Sequence, residues 1–226
     1  LGNGLLGYFS GSDCFPRPVN PYSNEKDMFF LNAQHLRLDS DLFLSTAAHE
    51  FQHMIQWNQD RNETTWLNEG LSMLAERLNG FLPSFHVESF IAEPDTPLTA
   101  WPDKEASANY GAAELFTTYL YGRFGGHFIR QLADAPANGL LSVTDLLKKM
   151  YGGVMNADDL FAHWTVANVL NDDTLAGGWY GYHDSLVPTV DASTFTEVDR
   201  LPARRSGSVH QYATDYFSVP SFEKMT

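Results

Sequence analysis

The sequence is poor in cysteine and in positive charge, and each shortage excludes a class of protein. The single cysteine, Cys14, excludes an intramolecular disulfide framework and a cysteine-rich zinc site. Lysine and arginine total 14 against 28 acidic residues, which gives a formal net charge of −14 at pH 7. Because nucleic acid and anionic membrane surfaces attract basic patches, this balance predicts that neither is a partner.

The sequence also lacks any apolar run near the roughly 18 residues that a membrane-spanning helix needs, so no such helix is predicted. What is present is a chain of 226 residues, 43% hydrophobic and 14% aromatic, which is typical of soluble globular proteins with a sizeable core. The chain starts at Leu1, without an initiator methionine or a charged-then-apolar leader. We therefore expect a mature or excised region whose targeting signal has been removed. The acidic balance suits a secreted, extracellular protein.

Apolar periodicity predicts an α+β fold, with a small N-terminal sheet followed by a mainly helical half. Strands are expected at 5–10 and 28–33. The helix predicted at 39–58 is apolar nearly all round and should be buried. Further helices are expected at 67–78, 86–92, 107–124, 127–134, 143–150 and 157–170.

The same patterns predict how the chain divides into domains. One domain is expected over 1–190, in which 1–66 forms the sheet and the first helix and 67–190 is mainly helical. Alternating apolar residues within 209–219 predict strands, so 191–226 is expected to be a β-rich tail. This tail can be the start of a truncated C-terminal β-domain.

The helix predicted at 39–58 carries His49 and His53, with Glu50 between them, in the pattern HEFQH. Histidines four residues apart lie on the same helix face, so their imidazoles can converge on one metal ion. Glu50 lies about 100° around the helix from His49, where it can reach a metal-bound water without being a ligand. The pattern predicts a zinc site with Glu50 as the general base.

A catalytic zinc generally has three protein ligands and a water, so a third ligand is needed. The metzincin pattern would require glycine and histidine at the positions of Gln56 and Gln59, and it is excluded. Glu69 lies 16 residues after His53, on the next predicted helix, and can complete a set of two histidines and a glutamate. Glu76 lies on the same flank of that helix and is the alternative third ligand.

These residues carry a resemblance to a known family. The stretch HEFQH at 49–53, followed by WLNEGLS at 66–72, resembles the gluzincin metallopeptidases, and more closely the hyicolysin-type secreted bacterial peptidases. The segment NYGAA at 109–113 is also similar to that family. The resemblance implies a zinc-dependent endopeptidase that hydrolyses polypeptides. The Gly-x-Met-Glu-Asn stretch of the aminopeptidase gluzincins does not precede the zinc motif here.

The resemblance also implies a thermolysin-like core, with a small mixed sheet whose edge strand lines the substrate cleft. Strand 28–33 is the expected edge strand. Tyr110 is the candidate donor to the oxyanion, and His163 is the alternative donor. Thermolysin-like enzymes place an acidic residue four positions after the glutamate ligand, where it orients the first histidine. Here that position is Met73, so the partner of His49 is left open.

Three further interpretations accompany the zinc site. Calcium ligands are considered among five acidic residues, although their spacing matches no calcium loop: Asp158, Asp159, Asp172, Asp173 and Asp184. The remaining histidines are expected to be structural or at the surface: His35, His86, His127, His183 and His210. The alternative function is a catalytically inert, zinc-stabilised binding or adhesin module on a peptidase scaffold.

Overall fold

The fold begins with a small antiparallel sheet. The computed structural model describes residues 5–219. Strand β1 (Gly7–Phe9) pairs with strand β2 (Phe29–Leu31), and Tyr8 lies opposite Phe30 with their rings stacked 4.7 Å apart. Both predicted strands are confirmed. The prediction of a mixed sheet is wrong, because the N-terminal sheet in the described residues has only these two strands, which run antiparallel.

Six α-helices follow in the described part of the chain, which confirms the α+β class and the helical second half. Gly125 has a φ of 75°, which breaks the fourth helix where two separate helices were predicted. None of the described helices has the length and apolarity needed to cross a membrane. The helices are α1 (Asp41–Gln59), α2 (Thr65–Leu78), α3 (Phe85–Ala92), α4 (Ser107–Ala133), α5 (Leu140–Tyr151) and α6 (Ala157–Leu170).

Helix α1 is not buried all round, contrary to the prediction. Its outer face leaves Phe51 and Ile55 exposed by 49% and 38%. The inner face packs against the small sheet and α2. The apolar pattern overstated the burial because the described elements cover only one side of this helix.

Helix α2 lies in the main core, together with α3 and α4. Leu67, Leu71 and Leu74 are buried on α2. Beneath them, the ring of Phe116 on α4 packs against the rings of Trp66 and Trp164 at centroid distances of 5.7 and 5.2 Å. Burying each such large apolar side chain contributes on the order of 2–3 kcal/mol, so α2 is firmly anchored.

The tail after residue 190 is mostly irregular within the described residues. Its two strands, β3 (Thr196–Glu197) and β4 (Phe217–Ser218), are short and parallel, so the strands expected over 209–219 are reduced to β4. The backbone N–H of Leu98 donates to the carbonyl of Tyr212 at 2.9 Å, which attaches the tail to the loop after α3. The part of the predicted tail at 220–226 lies outside the described residues.

Candidate metal centre

Helices α1 and α2 bring three ligand atoms together. His49 Nε2 lies 3.1 Å from His53 Nε2, and Glu69 Oε2 lies 3.2 and 3.5 Å from these two nitrogens. A tetrahedral ion with bonds of about 2.0–2.1 Å holds its ligand atoms about 3.3 Å apart. The spacing of the three atoms therefore fits a zinc-sized ion. Among the described residues, this is the one group of three or more potential metal ligands of the histidine, cysteine or acidic type.

Charge and burial at Glu69 also favour a cation. Glu69 Oε2 is buried and, apart from the nearby Nε2 atoms of His49 and His53, has no hydrogen-bond partner. Burial acts to raise the pKa of Glu69, but hydrogen bonds and charge from His49 and His53 outweigh it and lower this pKa to about 2. Burial acts to lower the pKa of His49, and Glu69 and Glu76 raise it to about 10. A buried carboxylate beside two imidazoles needs positive charge, which a proton or a metal ion can supply.

Glu76 is the partner that orients His49. Its Oε1 lies 2.9 Å from His49 Nδ1, so the ring presents Nε2 to Glu69. Glu76 was the alternative third ligand, and the structure places it behind the histidine instead. It follows Glu69 by seven residues, or two helical turns, and therefore lies on the same face of α2. Met73, where an acidic residue was expected, is buried between them and lines a cavity.

His53 is oriented by two side chains of α2. Its Nδ1 lies 3.0 Å from Asn68 Oδ1 and 3.1 Å from Ser72 Oγ. These contacts turn Nε2 of His53 toward the other ligand atoms. Sequence reasoning did not assign either residue a role, although both lie one turn or less from Glu69.

Glu50 lies beside the ligand group and outside it. Its side chain is buried and packs against β1, where a Cβ added to Gly7 would approach Glu50 Cγ to 2.9 Å. A glycine at position 7 therefore makes room for this carboxylate. Burial raises the pKa of Glu50, and the charges of His49 and His53 act in the opposite direction.

A cavity of about 650 Å³ opens at this carboxylate. His49 and Glu50 form one wall, and most of the rest is apolar, including Leu5, Leu6, Leu42, Phe81, Leu82 and Phe85. Its lining includes titratable side chains from three different helices: Glu50 from α1, His86 from α3 and Tyr110 from α4.

The strand that lines this cavity is β1. The prediction that strand 28–33 would be the edge strand lining the cleft is therefore wrong. The N–H of Asn32 donates to the carbonyl of Leu6 at 2.7 Å, so Leu6 is hydrogen-bonded to the neighbouring strand. In an antiparallel pair the bonding direction alternates, so the peptide groups of Gly7 point away from β2. Gly7 lines the cavity, and β2 lies on the far side of β1.

Tyr110, on α4, faces the ligand group across the cavity. Its ring stacks on His86 at 5.0 Å and contacts the edge of Trp101 at 4.7 Å. Burial, followed by the charges of Glu69 and Glu50, raises the pKa of Tyr110 far above its usual range. The phenol therefore stays protonated and can act as a hydrogen-bond donor.

His163 does not reach this cavity. It packs against Trp179 and Tyr180, at ring distances of 5.0 and 5.8 Å. His86, expected to be structural or at the surface, lines the cavity, with its Nδ1 2.9 Å from Ser107 Oγ. Burial lowers the pKa of His86, which favours the neutral ring. No local sequence signal marks His86, because the packing of α3 on α4 brings it to the site.

The five acidic residues considered for calcium have protein partners instead. Asp159 accepts a hydrogen bond from the N–H of Asn156 at 3.0 Å, as part of the capping box of α6. The others bind the following side chains: Asp158 to Tyr212, Asp172 to Thr174, Asp173 to His183 and Asp184 to Arg77.

The fold and the site define an α+β protein that can hold a metal ion through two histidines and a glutamate. Among curated proteins, the chain is similar to the neutral metalloprotease ShpI of Staphylococcus hyicus, with 23% identity over 239 residues. The alignment covers 95% of this chain and 53% of ShpI, so the chain spans about half the length of that relative. No protein-family model matches the chain. This distant likeness and the ligand group together support a metal-dependent peptidase.

Proposed function

We propose that this chain contains the catalytic domain of a secreted, zinc-dependent endopeptidase of the gluzincin type, with a thermolysin-like core. One observation carries the proposal: three potential ligand atoms lie 3.1–3.5 Å apart, and one of the three residues, His49, lines the same cavity as the buried carboxylate of Glu50. The catalytic domain is assigned to 1–190, and 191–226 to a tail. The distant likeness to a neutral metalloprotease supports the assignment.

In this proposal, His49, His53 and Glu69 hold the zinc ion, which supplies a Lewis acid for activating water and polarising the scissile carbonyl. Glu50 takes a proton from the attacking water and passes it to the leaving amine. Its burial beside β1 keeps bulk water from competing for that proton. Tyr110 donates a hydrogen bond to the carbonyl oxygen as negative charge develops there.

The proposed substrate is an extended polypeptide. The peptide groups of Gly7 that are not bonded to β2 are suited to pairing with the main chain of such a substrate. The apolar wall of the cavity, which includes Leu42, Phe81 and Phe85, would receive one of its side chains. The cavity extends from the ligand group along α1, so bound substrate would cross the catalytic carboxylate.

The test is to measure zinc content and casein cleavage in the same preparations. The unmodified protein should hold about one zinc per chain and cleave casein. Glu50→Gln should keep the zinc and lose about 10²–10⁴-fold in rate, since only the proton transfer is removed. Glu88→Gln, which changes an exposed glutamate on α3, is the matched control and should retain full activity.

Two results would count against the proposal. Zinc without any proteolysis in the unmodified protein would favour the inert, zinc-stabilised binding or adhesin module. Proteolysis that survives Glu50→Gln would contradict the role of Glu50 while leaving the metal site intact.

A further inference from the structure

A second cavity, of about 210 Å³, lies next to the ligand group. It shares His53 and Glu69 with that group, and the rest of its wall comes from the end of α1 and the connector to α2. This wall includes Gln56, Asp60 and Glu63. The cavity is therefore separate from the one that contains Glu50 and Tyr110.

Three buried side-chain oxygens in this wall have no hydrogen-bond partner: Gln56 Oε1, Asp60 Oδ2 and Glu63 Oε2. Gln56 is 1% exposed, and its Nε2 donates to the carbonyl of Ala133 at 3.3 Å, which turns Oε1 away from that contact. Glu63 is held in a similar way, because its Oε1 accepts from the N–H of Gly139 at 2.8 Å. Each side chain is thus fixed by one atom and leaves an acceptor unpaired.

The charge at this wall is also uncompensated. Burial raises the pKa of Glu63, and the charge of Asp60 adds to the rise. Arg61 is the basic residue of this wall, but its guanidinium lies over the rings of Trp57 and Phe15, at 5.2 and 5.9 Å. In residues 5–219, Arg61 forms no ion pair with either carboxylate. Buried acceptors of this kind destabilise a fold unless a donor or a cation meets them.

The geometry of the chain adds a further attraction for positive charge. Helix α1 ends at Gln59, and Asp60 is its C-cap. The C-terminal end of a helix carries partial negative charge from its free carbonyl groups. Two carboxylates and an amide oxygen therefore line one cavity beside the negative end of α1.

We propose that this second cavity binds one hard divalent cation, calcium, through Gln56, Asp60 and Glu63. Calcium takes six to eight oxygen ligands, including carboxylates, amide carbonyls and water, and the three unpaired acceptors, Gln56 Oε1, Asp60 Oδ2 and Glu63 Oε2, are of these kinds. A cavity of about 210 Å³ has room for the ion and several waters. The bound ion ties the end of α1 to the connector before α2, and so stabilises the two helices that carry the zinc ligands. This role does not depend on peptidase activity.

The test uses the full chain, loaded with zinc so that the first site is filled. Tb³⁺ is titrated and its luminescence, sensitised by Trp57 in the cavity wall, is recorded; Ca²⁺ is then added as competitor. We expect saturable binding of one Tb³⁺ per chain, displacement by Ca²⁺ and a Ca²⁺-dependent rise in the melting temperature. Mg²⁺, which prefers a smaller octahedral shell, should raise it less.

The single change Asp60→Asn should weaken Ca²⁺ binding about tenfold, since calcium affinity follows the charge of its ligands. Asp60→Asn with Glu63→Gln should abolish it, and zinc content should stay unchanged, which shows that the variants fold. The paired control, Asp172→Asn with Asp173→Asn, alters two adjacent acidic residues elsewhere in the sequence and should bind Ca²⁺ normally.

Two results would overturn the proposal. Absence of saturable Tb³⁺ binding would mean that water fills the cavity, and full binding in the double variant would place the ion elsewhere.

Discussion

The two helices that carry the candidate metal ligands are held in different ways. Helix α2 is buried, with Leu67 and Leu71 exposed by 0% and 3%. Only the inner face of helix α1 is buried, and Phe51 on its outer face is 49% exposed. The residues that orient the two histidines of α1 all come from α2. The anchored helix therefore sets the geometry of the site, and the half-exposed helix docks onto it.

The largest effect is expected from removing the ligand that α2 provides. Glu69→Ala should cost more zinc affinity than the roughly 10–100-fold attributed to the loss of an outer hydrogen-bond partner, because only two histidines remain. Zinc per chain, measured after dialysis against dilute chelator, checks this. A mutant that keeps full metal would identify Glu76 as the third ligand, and Glu88→Ala serves as the exposed control.

Truncating one aliphatic side chain on α2 and one on α1 compares how much each helix contributes to the stability of the fold. Leu71→Ala on α2 should destabilise the fold by about 3 kcal/mol, since a buried side chain leaves a cavity. Ile55→Ala on α1 should cost roughly 1 kcal/mol or less, because its side chain is already part exposed. Urea unfolding at a fixed zinc concentration measures both, and equal losses would contradict the difference between the helices.

Measuring stability over a range of pH tests the burial of Glu114, a residue of α4 in the core against which α2 packs. Burial, opposed by hydrogen bonds from Ser84, raises the pKa of Glu114 from 4.5 to about 7. The folded state therefore binds the extra proton, and stability falls as pH rises from 4.5 through 7. At pH 8, Glu114→Gln should be more stable than the unmodified protein by up to about 3 kcal/mol.

That gain should disappear below pH 4.5, where the glutamate is protonated in both the folded and the unfolded state. Thermal or urea unfolding at several pH values provides the comparison. A gain that is the same at pH 4 and pH 8 would show that burial of the charge is not its cause.

A smaller loss of zinc affinity than for Glu69→Ala is expected from the contact between the helices. Glu76→Gln keeps the shape of the side chain but removes its charge from His49. Zinc affinity should fall about 10–100-fold, as for other outer partners of metal ligands. Competition with a chelator of known affinity measures the change. Unaltered affinity would mean that α2 does not orient the histidine.

Local spacing allowed the ligand group to be predicted before the structure. His49 and His53 lie one turn apart on a single helix, and Glu69 follows in a motif that begins the next helix. The same reasoning could have assigned Glu76 to His49, since residues seven apart share a helix face. The structure brings His49, His53 and Glu69 together as a group that could hold a metal ion, which helical spacing predicts for the two histidines and the sequence motif predicts for Glu69.

The rest of the site depends on packing between distant segments. His86 reaches the cavity because α3 packs on α4, and Gly7 reaches it because β1 pairs with a strand about 20 residues away. The exposure of α1 could not be predicted either. A helix that is apolar on every side predicts complete burial, but the described elements cover only one side of this helix.

X-ray absorption at the zinc edge of the zinc-loaded chain tests the central claim most directly. We expect a shell of two imidazole nitrogens with carboxylate and water oxygens, at about 2.0–2.2 Å, and no sulfur. The spectrum should be the same in Glu50→Gln, because Glu50 lies outside the ligand group. A shell with one imidazole, or one that changes when Glu50 is replaced, would contradict the assignment of His49, His53 and Glu69 as the ligands.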